Sequence, residues 1–312
     1  MTERILVTGG AGYIGSDLVP ELLSKGYQVT FLVSFMYKQT SLAGISREKN
    51  LDLVFGDVRD TGLMKKHLSK SDVVIPLAAI VGAPACDKDP FQAESINKNA
   101  ILWMLKELSS HQRIIMPTTN SAYGSGDKDN FCDENSPLNP LSLYAKDKVI
   151  VEKELMNHAN ATSFRLATVF GISPRMRLDL LVNNFAFRAV TDGFIVIFEG
   201  HFKRNYIHIA DVVQAFMLSI ENPKNFIGQI FNVGLSSANI SKLELCGKIK
   251  EIIPKFTYLE SELGKDPDQR NYIVSNEKIE KVGFNPAMQL DDGLQELVKM
   301  LPMYNQKLFG NV

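Results

Sequence analysis

The stretch "RILVTGGAGYIGSDLVPELLSKG", residues 4–26, decides the fold. An apolar run leads into three glycines, Gly9, Gly12 and Gly15, and then into a helix-periodic segment closed by Gly26. Glycines placed there allow a tight turn and let backbone N–H groups approach a pyrophosphate at the helix N-terminus. A glycine triad alone is a weak signal. The strand before it and the helix after it supply the context of a dinucleotide-binding loop. A turn that only packs helix on strand is the poorer explanation. Tyr13 and Ile14 lie inside the loop and join the three glycines as expected cofactor contacts.

Outward from the loop, short apolar runs alternate with helical patterns. "YQVTFLVS", "LDLVFGD", "DVVIPLAA" and "RIIMPTT" read as strands, and "TSFRLATVFG" as one further strand. Helices are expected over 60–69 and 91–109, and around Tyr144. Strands separated in this way build βαβ crossovers and a parallel sheet, and their continuous apolarity suits a sheet covered on both faces. The expected fold is α/β, a Rossmann-like doubly wound parallel sheet with a smaller mixed α/β C-terminal domain. Residues 1–170 form the dinucleotide-binding part, to which 208–234 return through "GQIFNVG"; 171–207 and 235–312 form the second. There, a helix is expected over 178–191 and a strand at "GFIVIFEG". A helix capped by Asp211 or a neighbour, one capped by Ser241, and two more after Ser275 and Asp291 should follow.

The 312 residues, 45% hydrophobic and 22% charged, suffice for a large buried core. A net charge of −1 with no basic block argues against a nucleic-acid partner, and no long apolar run argues for a membrane. Three scattered cysteines and an opening without signal-peptide layout fit a reduced, cytoplasmic protein. The five histidines and the cysteines show no metal-ligand spacing, so no metal is expected.

The segment "YAKDK" places Tyr144 and Lys148 one helical turn apart, on one face. A nearby ammonium favours phenolate over phenol, and such a tyrosine can exchange a proton with a sugar hydroxyl. Alone, the spacing also fits an ordinary surface pair. At the end of the second strand Val33 and Ser34 stand where a ribose-binding carboxylate is usual, and no arginine is there for a 2′-phosphate. The choice of NAD over NADP rests on that missing phosphate site, with Ser34 as a ribose contact. Asp57 and Val58 follow the third strand and can reach the adenine; for Asp57 a plain turn role is an equal alternative.

In order, "TGGAGYIG", "GDVRD", "PTTNSAYG" and "YAKDK" resemble the extended short-chain dehydrogenase/reductase family, in its NAD-dependent sugar-nucleotide epimerase/dehydratase branch. The resemblance runs nearly end to end. It implies NAD as cofactor, a nucleotide-diphosphate sugar as substrate, Tyr144 as catalytic acid or base, Lys148 as its partner on the nicotinamide ribose, and Thr119 as the catalytic hydroxyl. Leu77, Ala78 and Ala79 resemble the stretch that lines the cofactor, although Pro76 replaces its usual histidine, and Asn97 resembles an asparagine on the cofactor-facing helix. Arg270 resembles a diphosphate ligand, and Asn183 lies on the helix where the family places a diphosphate contact. Arg204, near His208, can contact phosphate or sugar by its charge, and Arg175 and Arg177 can face the sugar. Dehydratases of the family carry glutamate two residues before the "YG" tyrosine; Ser121 stands there, beside Asn120, and a serine cannot replace a carboxylate as acid and base. Ser121 is therefore expected to touch substrate, and dehydration is disfavoured.

Oxidation or epimerisation at C4 remains. "FLVSFMYKQTSL", "LAAIVGAPACDKDP" and "TTNSAYG" are similar to capsule-heptose enzymes of the family, which implies oxidation of a GDP-heptose, with a 2-keto acid as possible hydride acceptor. A dinucleotide-binding sensor without catalysis is the rival class, disfavoured by the retained Thr119, Tyr144 and Lys148. The family also implies a homodimer through the helix after Phe91 and the Tyr144 helix; the apolar face around Ile101, Leu102 and Leu105 could equally be intramolecular core.

Overall fold

The computed structural model describes residues 2–125, 131–262 and 270–304. The chain begins with β1 (Arg4–Thr8), α1 (Gly15–Ser24), β2 (Gln28–Val33), β3 (Leu51–Phe55), α2 (Thr61–Leu68) and β4 (Val73–Pro76). It continues with α3 (Ala83–Lys88), α4 (Pro90–Glu94), α5 (Ala100–Glu107), β5 (Arg113–Thr119), β6 (Phe131–Cys132), α6 (Leu143–Leu155), β7 (Ala161–Leu166) and β8 (Thr168–Phe170). The later elements are α7 (Leu181–Thr191), β9 (Phe194–Phe198), β10 (Lys203–His208), α8 (Ile209–Glu221), α9 (Pro223–Phe226), β11 (Gln229–Val233) and β12 (Asn239–Ser241). Last come α10 (Lys242–Ile252), β13 (Thr257–Ser261), β14 (Ile273–Val274), α11 (Glu277–Lys281) and α12 (Leu290–Met300).

Seven strands form one parallel sheet in the order β11-β7-β5-β4-β1-β2-β3. β1 pairs with both β2 and β4, so the winding reverses beside it and opens a crevice at its carboxyl end. The glycine loop sits at that point. Gly9 has φ +71°, and a Cβ on it would lie 2.7 Å from the Ala78 nitrogen; a Cβ on Gly15 would lie 2.4 Å from the Gly10 carbonyl oxygen. Only glycine fits this close approach of three backbone segments.

One face of the sheet packs on α1 and α8 through residues such as Leu18, Val19, Phe164 and Phe216. The other packs on α5 and α6 through Ile101, Met104, Val151 and Leu155. Ile101 is thus intramolecular core. A separate apolar cluster, including Phe170, Met176, Phe187 and Leu294, holds α7, α10 and α12 together. Beneath the carboxyl end of β5 lies a buried ion pair. Glu152 receives Arg165 at 2.6 Å and hydroxyls from Thr118 and Ser163 at 3.0 and 2.7 Å. This network joins β5, α6 and β7, and so fixes the strand carrying Thr119 against the helix carrying Tyr144.

Several expectations are corrected. "TSFRLATVFG" is two strands: the chain leaves the main sheet at Ala167, and β8 pairs with β10 in a second sheet. The helix expected over 91–109 is interrupted by a π-turn at Ser95–Asn99, which accommodates one extra residue per turn and swings Asn97 inward. α8 is capped by His208, whose side chain accepts from the Ala210 N–H, while Asp211 accepts instead from Ala287 and Met288. β3 is not covered on both faces: it is the edge strand, and Leu53 and Phe55 are exposed. The cap at Ser241 is a complete capping box with Glu244. Among the described residues no helix is long and apolar enough to cross a membrane, and no cluster of His, Cys, Asp or Glu could hold a metal ion.

Candidate active site

A cavity of about 560 Å³ runs along the carboxyl edge of the sheet and under the C-terminal elements. At one end the turn between β1 and α1 contributes Gly9, Gly12, Tyr13, Ile14 and Gly15. Ser34 closes β2 at the rim, Asp57 and Val58 follow β3, and Leu77, Ala78 and Ala79 follow β4. At the other end stand Thr119 and Ser121 from the end of β5, and Tyr144 and Lys148 from α6. Arg204 and Arg270 close the cavity from the C-terminal side. Seventeen residues expected from the sequence thus share one space.

Two do not line it. Asn97 is fully buried and clamps Ile80, accepting from its N–H and donating to its carbonyl, both at 2.8 Å. It supports the wall formed by residues 77–80 rather than lining the cavity. Asn183 is also fully buried: its Oδ1 accepts from the Gly171 N–H at 3.0 Å and its Nδ2 donates to Tyr13 and Arg177. The next residue on the helix, Asn184, lines the cavity instead. One position on a helix turns a side chain by about 100°, so a one-residue shift exchanges a core position for a cavity position.

Tyr144 and Lys148 meet as the helical spacing requires, with Lys148 Nζ 5.9 Å from the Tyr144 ring centroid. Lys148 donates to the Pro117 carbonyl at 3.1 Å. The electrostatics differ from expectation. Burial pushes the Tyr144 phenol up to about 12, and the cations that work against that rise are Arg177 and Arg270. Burial likewise pushes the Lys148 ammonium down to about 8. Both groups disfavour charge for the same reason: an apolar wall solvates neither ion.

The cavity is nonetheless cationic. Lys148, Arg175, Arg177, Arg204, Lys242 and Arg270 line it, against the carboxylates Asp57 and Asp179. Asp57 is held by Arg59 at 2.6 Å, which keeps it below the usual carboxylate range, and Asp179 pairs with Arg177. Such a surface suits a ligand with phosphate groups. Lys242 was not foreseen. It opens α10, donates to the Phe198 carbonyl and lies over the Phe202 ring; the cap at Ser241 was its only sequence signal. Tyr37, with Arg175 stacked over its ring at 5.6 Å, is a further unforeseen lining residue.

Comparison with known proteins agrees with this geometry. Residues 5–234 match the model of the NAD dependent epimerase/dehydratase family. The low-salt glycan biosynthesis protein Agl12 of Haloferax volcanii is 26% identical, over 94% of this chain and 97% of that protein. Human dTDP-D-glucose 4,6-dehydratase is 26% identical, over 95% of this chain and 89% of its own length. The crystal structure of UDP-glucuronic acid 4-epimerase from Bacillus cereus, in complex with UDP-glucuronic acid and NAD, superposes with a TM-score of 0.83 at 25% identity, covering 96% of this chain and 99% of that one. A strand–glycine-loop–helix start, a reversal of winding at β1 and a Thr-Tyr-Lys set in one cavity are therefore the features of a known kind of enzyme: the chain belongs to the NAD dependent epimerase/dehydratase family, within the extended short-chain dehydrogenases/reductases.

Proposed function

We propose that the protein oxidises C4 of a nucleotide-diphosphate sugar, with GDP-D-glycero-α-D-manno-heptose as substrate and its 4-keto form as product, in capsular or surface polysaccharide synthesis. The carrying observation is the union of Thr119, Tyr144 and Lys148 in one cavity with the glycine loop, with the Ser121 hydroxyl where dehydratases of the family carry glutamate. The heptose and its nucleotide rest on the resemblance of residues 31–42, 77–90 and 118–124 to capsule-heptose enzymes.

NAD fits the cavity, because the glycine loop lines it and packs too closely on neighbouring backbone to admit a Cβ, and because the lining is cationic. Gly9, Gly12, Tyr13, Ile14 and Gly15 would hold its pyrophosphate, and Ser34, Asp57 and Val58 its adenosine. Bound NAD supplies the hydride acceptor of the reaction. Tyr144 takes the proton of the sugar hydroxyl, and Arg177 and Arg270 favour the phenolate form that this requires. Thr119 orients the same oxygen. Lys148, tied to the Pro117 carbonyl, is placed to hold ribose hydroxyls. Arg177, Arg204 and Lys242 offer charge to the diphosphate.

A 4-epimerase that retains its NAD is the second reading, favoured by the likeness to the Bacillus cereus 4-epimerase structure. A homodimer through α5 and α6 is part of the proposal; Ile150 of α6 is exposed. Single-turnover spectroscopy tests the oxidation: GDP-heptose should reduce enzyme-bound NAD to a stable chromophore that a 2-keto acid then discharges. An epimerase would show no lasting reduction.

A further inference from the structure

Two donors converge on Ser121. Thr119 Oγ1 donates to Ser121 Oγ at 2.8 Å, and Arg270 Nη1 donates to the same oxygen. The Ser121 N–H in turn donates to Thr119 Oγ1 at 3.1 Å. A hydroxyl oxygen has two acceptor positions and one proton. With both acceptor positions taken, the Ser121 proton must point away from Thr119 and Arg270, on a side chain that lines the cavity. Thr119 and Ser121 are 7% and 6% exposed, so the guanidinium acts on them with little screening by water. The charge also reaches Tyr144, where Arg270 works against the effect of burial. Among the other cavity cations, Arg177 pairs with Asp179, Lys148 donates to Pro117, Arg175 to Met176 and Lys242 to Phe198.

We infer that Arg270 is a positioning residue at the reacting end of the sugar, where it fixes the Thr119 and Ser121 hydroxyls and favours negative charge on the substrate oxygen. Its chain position and its charge are those of a diphosphate anchor, yet its contact lies where dehydratases of the family place glutamate. An arginine there replaces a proton-transferring carboxylate with a fixed cation. That favours the alkoxide character that develops as the hydroxyl proton passes to Tyr144, before hydride leaves C4, and it offers nothing to accept the C5 proton whose loss dehydration requires. The inference deepens the proposed C4 oxidation and rests on it for the identity of the reacting oxygen.

The test uses NAD-loaded enzyme with Arg270→Met, Arg270→Lys, Ser121→Ala and the Arg270→Met/Ser121→Ala double variant. A positioning role predicts that Ser121→Ala and Arg270→Met each lower kcat about tenfold or more. KM should be nearly unchanged, the double variant should lose little beyond the worse single one, and Arg270→Lys should recover part of the loss. Calorimetric titration with GDP, UDP and dTDP should give matching affinities for wild type and Arg270→Met. A diphosphate anchor predicts the reverse: nucleoside diphosphate binding weakened tenfold or more in Arg270→Met, with Ser121→Ala unaffected. That result would overturn the inference, as would fully additive losses in the double variant. If Arg270→Met does not fold, the kcat and KM of Ser121→Ala decide alone. Wild type that oxidises no sugar nucleotide would sink the functional reading, whereas the nucleotide titration would still decide whether Arg270 is a diphosphate anchor.

Discussion

Lys148 is a buried cation that the fold tolerates at a cost, and Lys148→Met should reveal it. The side chain is 3% exposed, and burial takes its ammonium from 10.5 to about 8. At 1.36 kcal/mol per pH unit, this corresponds to about 3 kcal/mol of penalty in the cofactor-free protein below pH 8. The sign follows from proton counts. Between about pH 8 and 10.5 the unfolded chain holds the Lys148 proton and the folded chain has released it, so stability rises with pH across that window. Below pH 8 both states are protonated and the full penalty stands. Methionine has nearly the same length and no charge, and it loses one hydrogen bond to the Pro117 carbonyl, worth about 1 kcal/mol. The net expectation is that cofactor-free Lys148→Met is more stable than wild type by about 2 kcal/mol at pH 7, with that advantage gone by pH 10.5. Equilibrium urea unfolding of both proteins at pH 7, 8.5 and 10 measures it. A variant less stable than wild type at pH 7, or a difference constant across these pH values, would refute the reasoning.

Three further outcomes are expected. Tyr144→Phe keeps the ring that packs beside Lys148 and removes the proton, so turnover should fall by at least about a hundredfold while NAD binding, followed by calorimetry, stays within a fewfold of wild type. Glu152→Ala leaves Arg165 buried without its carboxylate and strips a partner from Thr118 and Ser163, so urea unfolding should report a loss of about 3–5 kcal/mol. Gly15→Ala drives a methyl into the Gly10 carbonyl and displaces the start of α1, so NAD affinity should drop by an order of magnitude or more, with only a modest change in Tm.

The parallel sheet was legible because its signals are local: apolar runs of strand length, helical periods between them, and a glycine loop whose spacing permits few other uses. The Thr119, Tyr144 and Lys148 set was legible because its motifs resemble a family. What escaped the sequence depends on tertiary contacts. Nothing in "TSFRLATVFG" marks Ala167 as the residue where the chain changes sheets; the break follows from β10 offering a second edge to β8. The π-turn at Asn97 serves Ile80, a partner 17 residues away. Asn183 and Asn184 are the same residue type side by side, and only the packing of α7 decides which one faces the cavity. The rise of Tyr144 and the fall of Lys148 come from burial, which spacing on a helix does not reveal.

The mass of the product is the most direct measurement. NAD-loaded enzyme is incubated with GDP-heptose and, separately, with UDP- and dTDP-sugars, in the presence of a 2-keto acid, and the sugar nucleotide is weighed by mass spectrometry. A product lighter by two hydrogens, or its hydrate, is expected from GDP-heptose. An unchanged mass with a new chromatographic peak would make the protein an epimerase. Loss of water would contradict the reading of Ser121, and with it the proposed chemistry.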